Sequence, residues 1–206
     1  MDDRITAVPE RYHDRMHAER SQPRVEPPGG RDGGHDQRMR AIGPETGQLL
    51  TILARSLKRP RILEPGTSFG YSTLWLAEAA RATDGTVVTM ELHGCKSDHA
   101  RQMARQAGLA DWIDFRVGDA VRMIGELTDR VDFVFVDLRK DLYVPCLEAF
   151  HSRLDPGAII VADNMIRPGT EDVKRYGRAI RALPGMSSVI LPVGTGIEVS
   201  RFDPPD

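Results

Sequence analysis

Apolar and polar residues follow two regular patterns along this chain, and together they predict its secondary structure. The segment 44–58 has Leu50, Leu53 and Leu57 on one face of a helix, with Pro44 suited to the first turn. Short apolar runs between segments of this kind predict strands. The predicted helices are 44–58, 71–81, 97–106, 120–127, 142–153 and 171–183. The predicted strands are 61–64, 86–91, 113–119, 131–137, 158–163, 189–192 and 197–202.

The order of these elements predicts the fold class. Helical patterns separate the first five strands, which is typical of a parallel, doubly wound sheet with helices on both faces. The last two strands are joined through Gly194 and Gly196 and predict an antiparallel hairpin. We therefore expect an α/β protein with a mostly parallel, seven-stranded sheet. A turn is predicted at 155–157 (Asp-Pro-Gly), and Ser97 is predicted to cap a helix.

Residues 1–40 have a different composition from the rest of the chain. Apolar residues are sparse there, and Pro-Pro-Gly-Gly occupies positions 27–30. A segment of this kind buries too little surface to offset its ordering entropy. We therefore predict a mobile arm over 1–40, with one short helix near 10–20, and a folded domain over 41–206. The histidines of the arm, His13, His17 and His35, are expected to be solvated rather than to bind a metal.

Charge and cysteine content exclude several classes of protein. The formal net charge is -2, which gives no reason to expect electrostatic attraction to nucleic acid. No apolar run approaches the ~20 residues that span a bilayer, and none resembles a secretion signal. The two cysteines, Cys95 and Cys146, show neither metal-binding nor disulfide spacing. The composition favours a protein of the reducing cytoplasm that has no membrane or nucleic-acid partner.

Each of the first five predicted strands ends in a carboxylate. These five acids are Glu64, Glu91, Asp119, Asp137 and Asp163. Because parallel strands end at the same edge of a sheet, the acids should collect where open α/β sheets bind ligands. Crowded carboxylates repel each other unless a metal, an amine or hydroxyl groups lie among them. The pattern therefore indicates an enzyme or a ligand-binding protein.

The turn after the first strand carries the first candidate binding motif. It reads Glu-Pro-Gly-Thr-Ser-Phe-Gly over 64–70, and its glycines allow the backbone to approach a ligand closely. Glu91 ends the next strand, where nucleotide-binding folds place an acid against ribose hydroxyls. Asp119 could reach an adenine edge. A purely structural turn, a helix cap or a solvated carboxylate remain the alternatives for these residues.

These motifs resemble the cofactor half of the class I S-adenosylmethionine-dependent methyltransferases, which have a Rossmann-like fold. Asp137-Leu-Arg-Lys140-Asp-x-Tyr143 and Asp163-Asn164 further resemble the metal-dependent O-methyltransferases, which include catechol and caffeoyl-CoA O-methyltransferases and bacterial relatives. The resemblance extends from about residue 42 to 202. It implies S-adenosylmethionine as co-substrate. The residues that it implies for cofactor binding are Ile42, Glu64, Gly66, Thr67, Ser68, Gly70, Tyr71, Ser72, Glu91, Leu92, Gly118, Asp119, Ala120, Asp137 and Arg139.

One departure from the family pattern affects the adenine pocket. Animal catechol enzymes have His-Trp where this chain has Leu138-Arg139, and that tryptophan packs near the adenine. Arg139 either stacks its guanidinium on the base or faces solvent.

The resemblance also implies a metal site. Asp137, Asp163 and Asn164 would hold Mg²⁺ or another divalent cation, and such hard oxygen ligands suit Mg²⁺ or Ca²⁺. The alternative is that Asp163 and Asn164 cap the segment that follows them.

Two further side chains are catalytic candidates, beside the metal ligand Asp137. The family resemblance makes Lys140 the candidate general base, which takes a proton from the acceptor hydroxyl. Glu198 matches the glutamate that accepts a hydrogen bond from the second hydroxyl of a catechol. The alternatives are a solvated surface group for Lys140 and the outward residue of an edge strand for Glu198.

The sequence therefore predicts a metal-dependent O-methyltransferase that acts on a catechol-like vicinal diol. Two other hypotheses remain: an O-methyltransferase of hydroxylated uridine in tRNA, and a non-catalytic S-adenosylmethionine-binding protein. Near-neutral charge disfavours the first, because tRNA binding requires a basic patch. Retention of Asp137, Lys140, Asp163 and Asn164 disfavours the second. Relatives of this kind also imply a homodimer.

Overall fold

The computed structural model of the chain describes residues 3–20 and 38–204. Its helices are α1 (Asp3–Arg20), α2 (Pro44–Arg55), α3 (Tyr71–Thr83), α4 (Gly94–Gln106), α5 (Ala120–Gly125), α6 (Tyr143–His151) and α7 (Glu171–Ala182). Its strands are β1 (Arg61–Pro65), β2 (Thr86–Glu91), β3 (Ile113–Val117), β4 (Val131–Val136), β5 (Leu154–Ala162), β6 (Met186–Leu191) and β7 (Ile197–Phe202). Within the described residues, no helix has both the length and the apolar character that crossing a bilayer requires.

The seven strands form one sheet in the order β3-β2-β1-β4-β5-β7-β6. The strands from β1 to β5 pair in parallel, and β7 pairs antiparallel with both β5 and β6. The predicted fold class, including the C-terminal hairpin, is confirmed. The strand order reverses between β1 and β4, and the crevice outside the carboxyl ends of such strands is where doubly wound sheets bind ligands.

Strand β4 shows why the sheet is covered on both faces. Phe133 and Phe135 are fully buried in the core under α2 and α3, whereas Val134 and Val136 are fully buried in the core under α5, α6 and α7. Successive residues of a strand point to opposite faces, so a run of apolar residues requires helices on both sides. This packing fixes where each strand ends relative to its neighbours. It therefore also fixes the position of the polar residues that follow each strand.

Several predicted boundaries differ from the structure. Helix α4 begins at Gly94, so Ser97 lies inside its first turn and His93 is the N-cap. The residues 155–157 belong to β5 rather than to a turn, and the register between β4 and β5 shifts between Val131 and Phe133. Gly157 has a φ of 86°, a conformation that glycine adopts without strain. This irregularity accommodates the Asp-Pro-Gly sequence within the sheet.

The N-terminal segment contains more structure than the sequence predicts. Helix α1 starts at Asp3 rather than near residue 10, and Tyr12 is only 2% exposed. The Tyr12 hydroxyl donates a hydrogen bond to the Phe69 carbonyl oxygen at 2.6 Å. This part of the segment is therefore packed against the domain, because the docking surface supplies the apolar contacts that the helix itself lacks. The mobile arm stays a prediction for 21–37, which lie outside the described residues.

The three histidines of this segment have different environments. His17 is exposed, as expected for a solvated side chain. His13 Nε2 instead lies 2.7 Å from the Tyr71 hydroxyl, so this histidine is bound to the domain. His35 lies outside the described residues.

Candidate active site

A cavity of about 170 Å³ lies at the carboxyl edge of the sheet. Residues that follow β1, β2, β3 and β4 line it, so it occupies the crevice that the strand order predicts. Every residue of the predicted cofactor set lines this cavity except Glu64 and Gly70. The sheet therefore brings together residues that are widely separated in the sequence.

Gly66 allows the loop after β1 to approach β4 closely. Its φ is 113°, and a Cβ atom at this position would lie 2.2 Å from the Asp137 carbonyl oxygen. The backbone N–H groups of Gly66 and Thr67 both donate to the Met90 carbonyl oxygen, at 2.9 and 3.0 Å. The loop is therefore fixed over the ends of three neighbouring strands, and no residue with a side chain would fit at Gly66.

Glu64 supports the cavity from below rather than lining it. Its carboxylate is fully buried and accepts hydrogen bonds from the hydroxyls of Ser72, Thr73 and Thr89, at 2.5, 2.5 and 2.7 Å. Burial raises the pKa of Glu64 to about 7, although these three hydrogen bonds oppose the shift. Glu64 thus connects β1 to β2 and to the first turn of α3. Gly70 is the other residue of the predicted cofactor set that does not line the cavity. It is the N-cap of α3 and packs against Ala100.

Glu91 is the acid best placed to receive ligand hydroxyls. It ends β2 and is 9% exposed, and its two carboxylate oxygens accept from the backbone N–H groups of Ser68 at 2.8 Å and His93 at 3.0 Å. Each carboxylate oxygen has a second lone pair that these bonds leave unused. The carboxylate is therefore held in a fixed orientation on the cavity wall and can still accept further hydrogen bonds.

Asp119 and Arg139 line the cavity but also have local partners. Asp119 is the N-cap of α5 and accepts from the Arg122 backbone N–H at 2.8 Å, as the helix-cap alternative predicts. The guanidinium of Arg139 donates from Nε to Asp141 at 3.1 Å, and its side chain is 41% exposed. Arg139 therefore borders the cavity in an exposed ion pair.

The two carboxylates beyond β4 and β5 belong to one polar cluster. Lys140 Nζ donates to Asp137 Oδ1 at 2.9 Å and to the Tyr143 hydroxyl at 2.8 Å. The Tyr143 hydroxyl in turn donates to the Asp163 carbonyl oxygen at 3.2 Å. Burial raises the pKa of Tyr143 well above its ordinary value, so the phenol is protonated. These contacts place Asp137, Lys140 and Asp163 side by side at the sheet edge.

Asp163 and Asn164 share a partner on the loop before β7. Thr195 Oγ1 donates to Asp163 Oδ1 at 2.6 Å, and Asn164 Nδ2 donates to the same Thr195 oxygen at 3.0 Å. Asp163 is only 4% exposed; burial first and the charge of Asp137 second raise its pKa to about 6. Among the described residues, no three His, Cys, Asp or Glu side chains are grouped to hold a metal. The predicted metal ligands Asp137, Asp163 and Asn164 are not a group of this kind, because they comprise two carboxylates and an amide.

Glu198 lies apart from the cavity lining. It is 1% exposed on β7, and its carboxylate pairs with Arg181 Nε of α7 at 2.8 Å. A Cβ atom at Gly177 would lie 3.1 Å from Glu198 Oε2, so the side chain faces α7. Burial raises the pKa of Glu198, and Arg181 opposes that shift. The edge-strand alternative is wrong, because β7 lies between β5 and β6. Glu198 pairs in the sheet with Ala162, the residue before Asp163.

The cavity is also lined by residues outside the set that was predicted to bind the cofactor. They are Met39, Arg40, Ala41, Phe69, Met90, His93, Lys96, Leu138 and Leu142. Several of them lie under or beside α1. Arg15 of α1 lies over the Phe69 ring at 4.3 Å, and Glu19 Oε2 accepts from the Met39 backbone N–H at 2.7 Å. Helix α1 therefore joins two walls of the cavity, which only tertiary contacts could reveal.

Comparisons with known proteins agree with this geometry. A sequence profile of the O-methyltransferase family matches residues 34–201. A catechol O-methyltransferase from Niastella koreensis is 30% identical over 161 residues, which cover 73% of this chain and 72% of that protein. Caffeoyl-CoA O-methyltransferase 1 from Eucalyptus globulus is 28% identical over 189 residues, which cover 81% of this chain and 76% of the relative.

A solved structure with the same fold is that of the O-methyltransferase TomG from Streptomyces achromogenes, which is involved in tomaymycin synthesis and was crystallised with S-adenosylmethionine. It superimposes with a TM-score of 0.77 at 26% identity and covers 98% of this chain and 91% of that one. The family match spans most of the chain, and the strand order and the cavity agree with it. The chain is therefore an enzyme of the O-methyltransferase family, with the class I S-adenosylmethionine-dependent methyltransferase fold.

Proposed function

We propose that this enzyme transfers the methyl group of S-adenosylmethionine to one hydroxyl of a catechol-like vicinal diol, with the assistance of a divalent cation. The observation that carries the proposal is the contact between Lys140 and Asp137 at the cavity wall, beside the buried Asp163. A proton acceptor and two carboxylates at the end of a cofactor cavity are the groups that diol methylation requires. The relatives named catechol and caffeoyl-CoA O-methyltransferases support this acceptor class.

The cation ligands of this proposal are Asp137, Asp163 and Asn164. Their oxygen atoms are hard donors of the kind that Mg²⁺ prefers. The negative charge of Asp137 raises the pKa of the buried Asp163, and a cation would relieve that repulsion. When bound, the cation would acidify the acceptor hydroxyl and fix its orientation.

The chemical step is an in-line displacement. The acceptor oxygen attacks the methyl carbon as the carbon–sulfur bond breaks, the bonding electron pair stays on sulfur, and S-adenosylhomocysteine leaves. The hydroxyl proton passes to Lys140 Nζ, which Asp137 and Tyr143 hold in place. The protein contributes mainly by aligning the oxygen, the methyl carbon and the sulfur. Glu198 enters the proposal as acceptor of a hydrogen bond from the second hydroxyl. Its Oε1 pairs with Arg181, whereas its Oε2 has no hydrogen-bond partner among the described residues.

The acceptor class is tested by incubating the protein with S-adenosylmethionine carrying a labelled methyl group, with and without Mg²⁺. We expect label in members of a catechol panel and none in total tRNA. Label in tRNA alone would favour the hydroxyuridine hypothesis, and binding without transfer to any acceptor would favour a non-catalytic protein. A cytoplasmic location and a homodimeric assembly belong to the same proposal. Within the described residues, Cys95 and Cys146 form no disulfide, which is consistent with that location.

Glu91→Ala is expected to weaken S-adenosylmethionine binding by about 1–3 kcal/mol, the scale of charge-assisted hydrogen bonds to two ribose hydroxyls. Calorimetric titration of the cofactor measures the change. Glu126→Ala, which removes an exposed glutamate after α5, is the matched control and should bind as the wild type does. An unchanged dissociation constant for Glu91→Ala would show that this acid only anchors the loop through Ser68 and His93.

Tyr12→Phe is expected to loosen the contact between α1 and the loop that joins β1 to α3. The substitution leaves the Phe69 carbonyl oxygen without its buried donor, which should lower the free energy of unfolding by about 1–2 kcal/mol. Cofactor affinity should fall with it, because Phe69 and Tyr71 line the cavity. Urea unfolding and calorimetry measure the two effects, with the exposed His17→Ala on the same helix as control. Equal stability of both variants would contradict the role of α1.

A further inference from the structure

Lys96 is a buried lysine to which the proposed function gives no role. It lies in the first turn of α4, is only 9% exposed and lines the cofactor cavity. Its Nζ atom lies 5.6 Å from the centre of the Phe69 ring, but within the described residues its ammonium group has no hydrogen-bond or ion-pair partner. Burying a charge without a partner is costly. An oxygen atom of a ligand in this cavity would provide the acceptor that the protein does not.

The same two segments of the chain hold Lys96 and the acidic residue Glu91. The His93 N–H donates to Glu91 Oε1 at 3.0 Å, and the His93 carbonyl oxygen accepts from the Lys96 backbone N–H at 3.1 Å. On the loop after β1, the Ser68 N–H donates to Glu91 Oε2 at 2.8 Å, and the next residue is Phe69, which lies beside the Lys96 ammonium. The Glu91 carboxylate and the backbone that carries the Lys96 side chain are therefore fixed relative to each other.

These two charged groups line one cavity without neutralising each other, since the described side chains of Glu91 and Lys96 do not form an ion pair. Glu91 can only accept hydrogen bonds and Lys96 can only donate them, whereas a hydroxyl group does both. A hydroxyl that donates its proton to Glu91 keeps two lone pairs on its oxygen, and the lysine can donate to one of them. The pair is therefore complementary to a hydroxyl group of a ligand.

We infer that Lys96 is a further cofactor-binding residue, which donates a hydrogen bond to the oxygen of a ribose hydroxyl of S-adenosylmethionine whose proton goes to Glu91. This inference rests on the part of the proposed function that assigns the ribose to Glu91, and it involves neither the methyl acceptor nor the cation. The competing explanation is that the aliphatic stem of Lys96 packs on Phe69 while its ammonium group is hydrated.

Lys96→Met separates these explanations by the sign of its effect. S-adenosylmethionine carries a sulfonium and an ammonium group against a single carboxylate, so it is a cation, and a lysine that makes no contact with it would repel it. Removal of such a lysine would therefore strengthen binding. If Lys96 donates to the ribose, we expect the dissociation constant instead to rise about 10- to 100-fold, the range of one hydrogen bond to a charged group. Calorimetric titration of S-adenosylmethionine measures the change, and unchanged or tighter binding would overturn the inference.

The matched control is Arg105→Met. Arg105 is exposed in the last turn of the same helix, so the substitution causes the same change in net charge away from the cavity. It should leave the dissociation constant at the wild-type value. An equal loss of affinity in both variants would assign the effect to the overall charge of the protein and would overturn the inference.

Analogues of the product identify the group that Lys96 contacts. S-adenosylhomocysteine and its 2′-deoxy and 3′-deoxy forms bind without any reaction, so their affinities require no acceptor. For one of the two deoxy forms, the loss of affinity should be clearly smaller in Lys96→Met than in the wild type, because both changes remove the same interaction. Equal losses in the wild type and the variant for both deoxy forms would overturn the assignment to the ribose.

Thermal unfolding without cofactor gives a readout that is independent of binding. Lys96→Met should be at least as stable as the wild type, because it removes a buried ammonium group that has no partner in the described part of the protein and keeps much of the stem beside Phe69. A clearly less stable variant would show that the ammonium supports the fold, and would overturn the inference. A wild type that binds S-adenosylmethionine but methylates no diol contradicts the proposed function and leaves the role of Lys96 intact.

Discussion

Asp163→Ala is expected to lower the rate of methyl transfer by about 100- to 1000-fold, the scale of losing one main source of charge stabilisation at a reacting oxygen. S-adenosylmethionine affinity should change by no more than about 3-fold, because Asp163 does not line the cofactor cavity. Initial rates with a labelled methyl group and calorimetric titration of the cofactor measure the two quantities. The separation of the two effects distinguishes a cation ligand from a residue that merely supports the fold.

Metal removal should have the same consequence as the substitution. After exhaustive treatment with a chelator, the wild type should lose its activity and regain it on addition of Mg²⁺, whereas Asp163→Ala should regain little. Asp155→Ala offers a matched control. Asp155 lies at the start of β5, the strand that Asp163 follows, and forms ion pairs with Arg61 and Arg130. It should keep the metal response of the wild type. Full wild-type activity without metal would contradict the cation site.

The sheet and its ligand edge were predictable because they follow from local patterns. The apolar run around Phe133 and Val134 specifies a strand that is buried on both faces, and helical patterns between strands specify parallel connections. Glu64, Glu91 and Asp137 then lie at or next to strand ends, so their placement at one edge follows from the topology alone. The five acids do, however, have different environments, and the pattern of residues does not reveal them.

Other features depend on contacts between distant parts of the chain. Tyr12 lies in a segment of polar composition, and only Phe69, on a loop far along the sequence, supplies its hydrogen-bond partner. The alternation of residues along a strand indicates two faces but not which helix covers each, so the contact between Glu198 and α7 was not predictable. Lys96 illustrates the same limit, since a lysine in a helix is ordinarily exposed and here is only 9% exposed beside Phe69.

Lys140→Met is expected to reduce kcat strongly, by about 100-fold or more on an unactivated diol, which is the contribution of a well-placed general base. The substitution keeps much of the apolar stem of the side chain and removes the donor to Asp137 and Tyr143. Binding of S-adenosylmethionine should change little, because Lys140 does not line the cofactor cavity. Steady-state kinetics and calorimetry measure the two effects, and Lys174→Met on the exposed face of α7 is the control.

The acidity of the acceptor decides which role Lys140 has. If Lys140 removes the proton, it becomes less necessary as the hydroxyl becomes more acidic, so nitro-substituted catechols should partly restore the rate of Lys140→Met. If Lys140 only orients and stabilises the oxyanion while water removes the proton, all acceptors should lose rate by about the same factor. The pH–rate profile gives an independent measure, because a true base contributes the acidic limb that the variant should lack. Near-wild-type rates of Lys140→Met on an unactivated diol would contradict both roles, and the contact with Asp137 would then be a structural ion pair.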